Sequence, residues 1–294
     1  GALTYAEMGT QLPRAGGDYV FVREAYGDGV AFTYGWATFL LGFAGPTALI
    51  AHACVVYLTM PWRGPGSGEA WPAWITPAAV SCIVLLLTLL HCRGQRFSAW
   101  GQNVTTALKI CLLCLFVAGG FVLGDWSLLA QGKPPAEQQF GTAVISLIYV
   151  FYAYLGWNAS VYLAGEMNDP QRSLPRAIIG GVLLVMLLYL ALNMAYLLGV
   201  GPEGLRGASP AEVEAIAETA GRKLFGPRVS GGLSVLIGCG VLASVSAYLL
   251  TGSRIGYAMA CDGLFPAYAA RVSQRYRTPT VSTILLAVCA VALL

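Results

Sequence analysis

Three segments of this chain carry side chains whose types and spacing could do chemistry in an otherwise apolar sequence. The first runs Tyr149-Val150-Phe151-Tyr152-Ala153-Tyr154-Leu155-Gly156-Trp157-Asn158-Ala159-Ser160 and leads through Gly165 into Glu166-Met167-Asn168-Asp169-Pro170. It sets Gly, Asn, Ser and aromatic residues mid-segment, where a plain anchor carries Leu and Val. Helix breakers at bilayer depth are tolerated when the freed carbonyls and amides line a cavity, and broken membrane helices use such groups to hold polar ends of a small molecule. The alternative is an unbroken helix whose Gly admits a close neighbour. The second is Lys109, in Thr105-Thr106-Ala107-Leu108-Lys109-Ile110-Cys111-Leu112. A Lys two turns inside a span faces a cavity, a partner or an ion path, unless its stem snorkels to the interface. The third is Gly238-Cys239-Gly240-Val241-Leu242-Ala243-Ser244-Val245-Ser246-Ala247. Its small residues permit close helix contact, and Ser244 and Ser246 offer oxygens to an ion or an ammonium.

The elements that must position these groups are membrane helices. The chain has 294 residues, 57% hydrophobic and 11% charged, with mean hydropathy +0.66. A soluble domain carries roughly 25% charged residues, so the charge here is too sparse to cover a water-facing surface. Disordered and nucleic-acid-binding proteins are excluded for the same reason. Six apolar stretches, 30–60, 75–92, 100–123, 141–164, 177–200 and 231–251, approach or exceed the roughly 20 residues that a bilayer core of about 30 Å demands. Two more, at Gly1–Ala6 and Thr283–Leu294, read as incomplete spans, so the sequence reads as an excerpt of a larger protein. Val182-Leu183-Leu184-Val185-Met186-Leu187-Leu188-Tyr189-Leu190 is apolar on every side, which excludes alternating barrel strands. The expected fold is therefore an all-α polytopic bundle, one transmembrane unit over 1–294.

Basic residues orient it. The loops at 7–29, 92–99, 165–176 and 252–280 hold Arg14, Arg23, Arg93, Arg96, Arg172, Arg176, Arg254, Arg271, Arg275 and Arg277. The opposite loops hold Arg63, Lys133, Arg206, Arg222, Lys223 and Arg228. The excess puts the first set in the cytoplasm. On the outer side, Ser209-Pro210-Ala211-Glu212 has the capping pattern of a helix start. Val213, Ile216, Ala217, Ala220 and Leu224 then continue it as a short amphipathic lid. Cys54, Cys82, Cys92, Cys111, Cys114, Cys239, Cys261 and Cys289 all lie in apolar segments or at their cytoplasmic ends, so no disulfide scaffold is expected. Cys111-x-x-Cys114 reads as apolar packing. His52 and His91 are isolated, so no metal site and no cofactor is expected.

Several ordered motifs resemble an amino acid permease of the amino acid–polyamine–organocation superfamily, nearest to L-type and related bacterial permeases. Tyr5-Ala6-Glu7-Met8-Gly9, Pro13, Gly16-Gly17-Asp18-Tyr19 and Arg23-Glu24-Ala25-Tyr26-Gly27 are similar to the end of transmembrane helix 2 and the following cytoplasmic loop. Phe151 to Trp157, then Glu166, Pro170, Arg172 and Leu174-Pro175-Arg176-Ala177, are similar to helix 6 and its exit. Ser253-Arg254, Tyr257-Ala258-Met259, Asp262-Gly263-Leu264-Phe265-Pro266 and Thr278-Pro279 are similar to the loop after helix 8. The resemblance implies a twelve-helix protein of two inverted five-helix repeats, with helices 1 and 6 unwound at mid-membrane around the substrate. This chain would run from late helix 2 into helix 9, without helix 1 and helices 10–12.

By the same resemblance, Tyr152 covers the substrate, and the Tyr152, Ala153 and Leu155 carbonyls face its ammonium. Gly156 and Asn158 complete that stretch. Leu155 stands where L-type members often have Gly and narrows the space for a side chain. Lys109 stands where an ammonium occupies the region of a sodium site, with Ser244 as its helix 8 partner. Glu7, Glu166 and Arg172 form a candidate cytoplasmic gate, unless they are simply solvated loop charge. The loop Pro61 to Trp74 has no Cys, so no disulfide-linked helper subunit is expected, and a stand-alone permease of the plasma membrane, in a bacterium the inner membrane, follows. The function implied is secondary transport of an amino acid by alternating access, sodium-independent, by proton symport or exchange. The rival is a transporter-like sensor or scaffold without net flux. No paired carboxylates or Ser/His arrangement suggests an enzyme.

Overall fold

The computed structural model describes residues 1–60, 72–130, 140–206 and 216–294, and of a few of these, Tyr152 among them, the backbone alone. Every regular element among them is helical. In chain order they are α1 (Ala2–Gln11), α2 (Asp18–Ala37), a π-helical turn (Thr38–Ala44), α3 (Gly45–Thr59), α4 (Ile75–Cys92) and α5 (Gln95–Leu123). Then come α6 (Ser127–Ala130), α7 (Phe140–Ala153), α8 (Ala159–Tyr162), a 3-10 turn (Ala164–Glu166) and α9 (Pro170–Val200). The chain continues through α10 (Pro202–Arg206), α11 (Ile216–Phe225), α12 (Pro227–Cys261), a second 3-10 turn (Ala267–Ala270) and α13 (Thr280–Ala292). Five stretches among the described residues are long and apolar enough to cross a membrane: Asp18–Thr59, Ile75–Cys92, Trp100–Leu123, Pro170–Val200 and Ser234–Cys261. The outward leucines fit this, since Leu86, Leu89, Leu187 and Leu190 lie exposed on these helices where water would reject them and lipid does not.

Two compact units divide the chain. One comprises Gly1–Lys109, Ala159–Ile179 and Ser234–Leu294; the other comprises Ile110–Asn158 and Gly180–Leu233. In the first, α13 packs on α4, α3 and the π-helical turn, and Tyr19, Phe39, Val80, Val84, Leu249, Met259 and Leu286 are fully buried. The π-helical turn has a local cause. Pro46 has no amide hydrogen to give the Gly42 carbonyl, and the ladder slips so that the Gly45 N–H reaches the Leu40 carbonyl. In the second unit, Phe116 of α5 lies edge-on to Tyr196 of α9 and Phe225 of α11. Ile216 and Leu224 pack against the same cluster, where Ala220 is buried. The amphipathic pattern expected at 209–224 thus forms a helix from Ile216; its proposed cap, Ser209 to Glu212, and Val213 lie outside the described residues. So does nearly all of the Pro61–Trp74 loop.

Three expected loops are shorter than the charge pattern suggested. Helix is present over most of 7–29, because α2 begins at Asp18, whose carboxylate suits a helix N-terminus. Inside α2, Gly27 leaves helical geometry at φ 78°, and the Arg23 Nε–Asp28 Oδ1 pair at 2.7 Å straddles that kink. The 165–176 loop ends at Pro170, a residue suited to the first turn of α9. The span expected over 231–251 continues as α12 to Cys261 and carries Arg254 inside, which Glu166 neutralises. The stretch 141–164, read as one span, is two helices with a gap.

Candidate functional site

The candidate residues Tyr152, Ala153, Leu155, Gly156 and Asn158 lie at or beside that gap. α7 ends at Ala153, α8 begins at Ala159, and five residues between them are outside any helix. Gly156 sits at φ +92° with no heavy atom within 4 Å of where a Cβ would stand. Only glycine adopts such a backbone at no cost. Tyr154 closes the helix, its N–H shared between the Val150 and Phe151 carbonyls at 3.2 Å each. The Ala153 carbonyl takes the Tyr189 hydroxyl at 2.8 Å, and the Tyr154 and Tyr189 rings meet edge to face at 5.1 Å. One lone pair of that carbonyl is therefore engaged within its own unit, and the other stays available. Leu155 and Gly156 are exposed, whereas Trp157 and Asn158 are half-buried. Tyr152 lies in α7 just before the break, and its side chain is outside the described residues.

Two glycines separate the causes here. Gly156 and Gly180 both have free space around a hypothetical Cβ, but only Gly156 has positive φ. Gly156→Ala is expected to cost about 1–2 kcal/mol through backbone strain alone. Gly180→Ala, inside α9, should be neutral or stabilising by up to about 1 kcal/mol. Thermal unfolding of the two purified variants checks this, and an equal response from both would mean that the backbone at Gly156 is not held in its left-handed conformation.

α8 is clamped at the far side of the break. Tyr162 is buried, with its ring 5.3 Å from that of Phe43, and it packs face-on to Gly17, where any Cβ would collide with it. Just beyond, Glu166 receives a forked ion pair from Arg254 of α12: Nε to Oε1 at 2.9 Å and Nη2 to Oε2 at 3.2 Å. Arg254 Nη1 also donates to the Leu250 carbonyl at 2.7 Å and to Ser253 Oγ at 3.0 Å. Glu166 thus pairs with Arg254. Glu7 and Arg172 are exposed, and neither makes an ion pair with a described residue. A second charged knot lies at the end of α12: Asp262 accepts from Arg23 Nη1 at 2.7 Å, Arg14 Nη2 at 3.3 Å and the Tyr19 hydroxyl at 3.1 Å. Sequence pattern singled out neither Arg254 nor Asp262 as a gate residue, because each pairs with a side chain far away in the chain.

Lys109 is half-buried on α5. Its Nζ donates to Ser244 Oγ of α12 at 3.0 Å, and its stem lies along Gly240, with Cε 3.4 Å from where a Cβ would stand. Gly240 and Ser244 are one turn apart, so a single face of α12 supplies both room for the stem and an acceptor for the ammonium. No described residue forms an ion pair with Lys109. Closer to the α4–α5 connection, Gln102 Nε2 donates to the Ala243 carbonyl at 3.2 Å, and His91 Nε2 lies 3.0 Å from Ser246 Oγ. Sequence reading treated His91 as isolated, and nothing local marks its contact with a residue so distant in the chain. Among the described residues no three His, Cys, Asp or Glu side chains come together as a metal site requires.

Comparison with known proteins places this geometry in context. A family model described as "Amino acid permease" matches residues 1–294. The chain is 29% identical over 290 residues to Asc-type amino acid transporter 1 of Mus musculus, covering 95% of this chain and 52% of that protein. It is 27% identical over 292 residues to b(0,+)-type amino acid transporter 1 of Oryctolagus cuniculus, covering 97% and 57% respectively. It is 30% identical over 289 residues to large neutral amino acids transporter small subunit 2 of Oryctolagus cuniculus, covering 95% and 52%. The chain therefore spans about half the length of the curated relatives it matches.

Proposed function

Because this chain belongs to the amino acid permease family, a family of membrane transporters rather than enzymes, we propose that its protein moves an amino acid across the plasma membrane by alternating access and without sodium. The observation that carries this reading is the helix break at 154–158. Backbone carbonyls and amides released from a helix at bilayer depth must find partners, and a zwitterion supplies both signs of partner at once. The carbonyls of Tyr152, Ala153 and Leu155 take the ammonium, Gly156 permits the turn, and Asn158 lies at the start of the returning half-helix. Leu155 restricts the space left for a substrate side chain. The Arg254–Glu166 pair and the Asp262 knot close the cytoplasmic side, and both must loosen when the site opens there.

The Lys109 ammonium supports the sodium-free part. A fixed cation hydrogen-bonded to Ser244 supplies in covalent form the positive charge that a sodium ion would bring, and a second cation beside it would be repelled. Uptake of a mixture of radiolabelled neutral L-amino acids by the full-length protein in proteoliposomes is expected to be the same in sodium and in choline buffers. A loss of more than tenfold in choline would refute this coupling. One relative is named a small subunit of a transporter; this chain has no Cys from Pro61 to Trp74, and we propose no disulfide-linked partner through that loop.

A further inference from the structure

The loop that joins α12 to α13 gathers positive charge on one end of the first unit. It holds Arg271, Arg275 and Arg277, all exposed, and from Gly263 to Leu294 the sequence has no Asp or Glu. The loop meets the α4–α5 connection: Cys92 Sγ lies 3.9 Å from the Thr280 carbonyl, and a Cβ built on Gly94 would stand 3.8 Å from Tyr276 Cδ1. Arg93 lies between those two contact residues and is exposed, while Arg275 and Arg277 flank Tyr276. From Ile75 to Gly124 the sequence again has no acidic residue. Elsewhere in this unit Asp262 pairs with Arg14 and Arg23, and Glu166 with Arg254. Arg93, Arg271, Arg275 and Arg277 form no ion pair with a described residue.

The fold holds these cations on a closed turn. The Ser273 N–H donates to the Thr278 carbonyl at 2.9 Å and the Arg277 N–H to the Ser273 carbonyl at 2.7 Å, and the Tyr276 N–H reaches Ser273 Oγ at 3.3 Å. Closing the turn puts Arg277 at φ 53°, a backbone that a non-glycine residue keeps only where its surroundings impose it. The Arg275 guanidinium carbon lies 5.3 Å from the Tyr276 ring centroid, and stacking of this kind engages the face of the group, not its edge N–H donors. Like charges gathered on one surface repel, and a bound anion offsets that. Location selects the anion. The loop leaves the membrane helix Ser234–Cys261 and returns as apolar α13, on the side that the basic loops put in the cytoplasm. Tyr268 and Val272 are exposed beside Arg271, and Trp100 is exposed where the apolar span of α5 begins, the setting of an interfacial aromatic. We propose that the α12–α13 loop, together with Arg93, binds the phosphate headgroup of an anionic phospholipid in the cytoplasmic leaflet. The guanidinium groups take the phosphate oxygens in pairs, and Tyr268 and Val272 offer apolar surface to the adjoining acyl chain.

Lipid binding is measured without transport, so its failure leaves the transport reading untouched. Full-length protein in neutral detergent is titrated with fluorescent phosphatidylglycerol or fluorescent phosphatidylcholine, with inorganic phosphate as competitor. The unaltered protein is expected to prefer phosphatidylglycerol about tenfold or more. An arginine at an anionic surface is worth about fivefold in affinity, so Arg93→Gln, Arg271→Gln and Arg275→Gln combined should weaken phosphatidylglycerol binding about a hundredfold and leave phosphatidylcholine unchanged. Arg275→Gln alone should lose about fivefold, and serves if the triple variant fails to fold. Arg176→Gln, exposed near the start of α9, is the control for scattered charge and should change little. Equal affinity for the two lipids, or a loss from Arg275→Gln no larger than that from Arg176→Gln, overturns the site. Displacement of phosphatidylglycerol by millimolar inorganic phosphate identifies a soluble phosphate as the ligand and overturns the lipid assignment.

Discussion

Replacing Glu166 by Leu is expected to destabilise the protein more than replacing its partner Arg254 by Met, and the double replacement should recover at least half of the larger loss. The asymmetry comes from burial. The Arg254 side chain is 3% exposed, whereas that of Glu166 is 30% exposed. Removing Glu166 strands a guanidinium with nearly no access to water, and an uncompensated buried charge costs roughly 3–5 kcal/mol. Removing Arg254 strands a carboxylate that water already reaches, so the cost is nearer the roughly 1–3 kcal/mol of a lost charged hydrogen bond. Arg254→Lys should fall between, because an ammonium cannot reproduce the fork to both carboxylate oxygens. Thermal unfolding of the purified full-length variants in detergent orders them directly. The reverse order, with Arg254→Met the most damaging, would show that the pair is not governed by desolvation. Uptake should respond differently from stability: if the pair closes the cytoplasmic side, variants that remain folded should leak substrate outward faster in efflux assays.

That prediction depends on a contact between residues 88 positions apart in the chain, the kind of fact that no local pattern carries. The features legible in the sequence were those with local causes. Hydropathy located the spans at 75–92 and 100–123 because lipid demands a continuous apolar run and nothing else satisfies it. The break near Gly156 was visible because Gly, Asn and Ser sit where Leu would serve a plain helix. Both residues of the Lys109–Ser244 contact stood out, the Lys by its charge inside an apolar run and the Ser by its setting among small residues. Helix ends were misjudged at Asp18 and Arg254, where charge was taken as a stop. Asp18 begins a helix and accepts from the Tyr34 hydroxyl at 3.3 Å, and Arg254 lies inside a helix, where distant Glu166 pairs with it. His91 was missed because its hydrogen-bond partner, Ser246, is on α12. A lone polar residue advertises a need, but only the fold shows what meets it.

Lys109→Met should separate folding from function more sharply than any other single replacement in this chain. An ammonium well inside a membrane helix opposes insertion by about 2.5–3.5 kcal/mol on translocon scales, and Met keeps much of the stem's length and flexibility while removing the charge. The stem still fits along Gly240, and the only described hydrogen bond lost is the one to Ser244. Insertion and yield should therefore hold or improve. Transport should nonetheless fall by about a hundredfold or more, because the charge-assisted bond that ties α5 to α12, worth roughly 1.5–3 kcal/mol, is also the site of the fixed positive charge on which the proposed sodium-free coupling rests. Lys109→Arg is not expected to rescue it: the planar fork is wider than an ammonium, and with Cε already 3.4 Å from the Cβ position of Gly240 there is little room to turn it toward Ser244. Ser244→Ala should lie between, since it leaves the charge but frees its position. Should Lys109→Met take up amino acid within threefold of the unaltered protein, the ammonium is a structural tie between two helices and the coupling must be sought elsewhere.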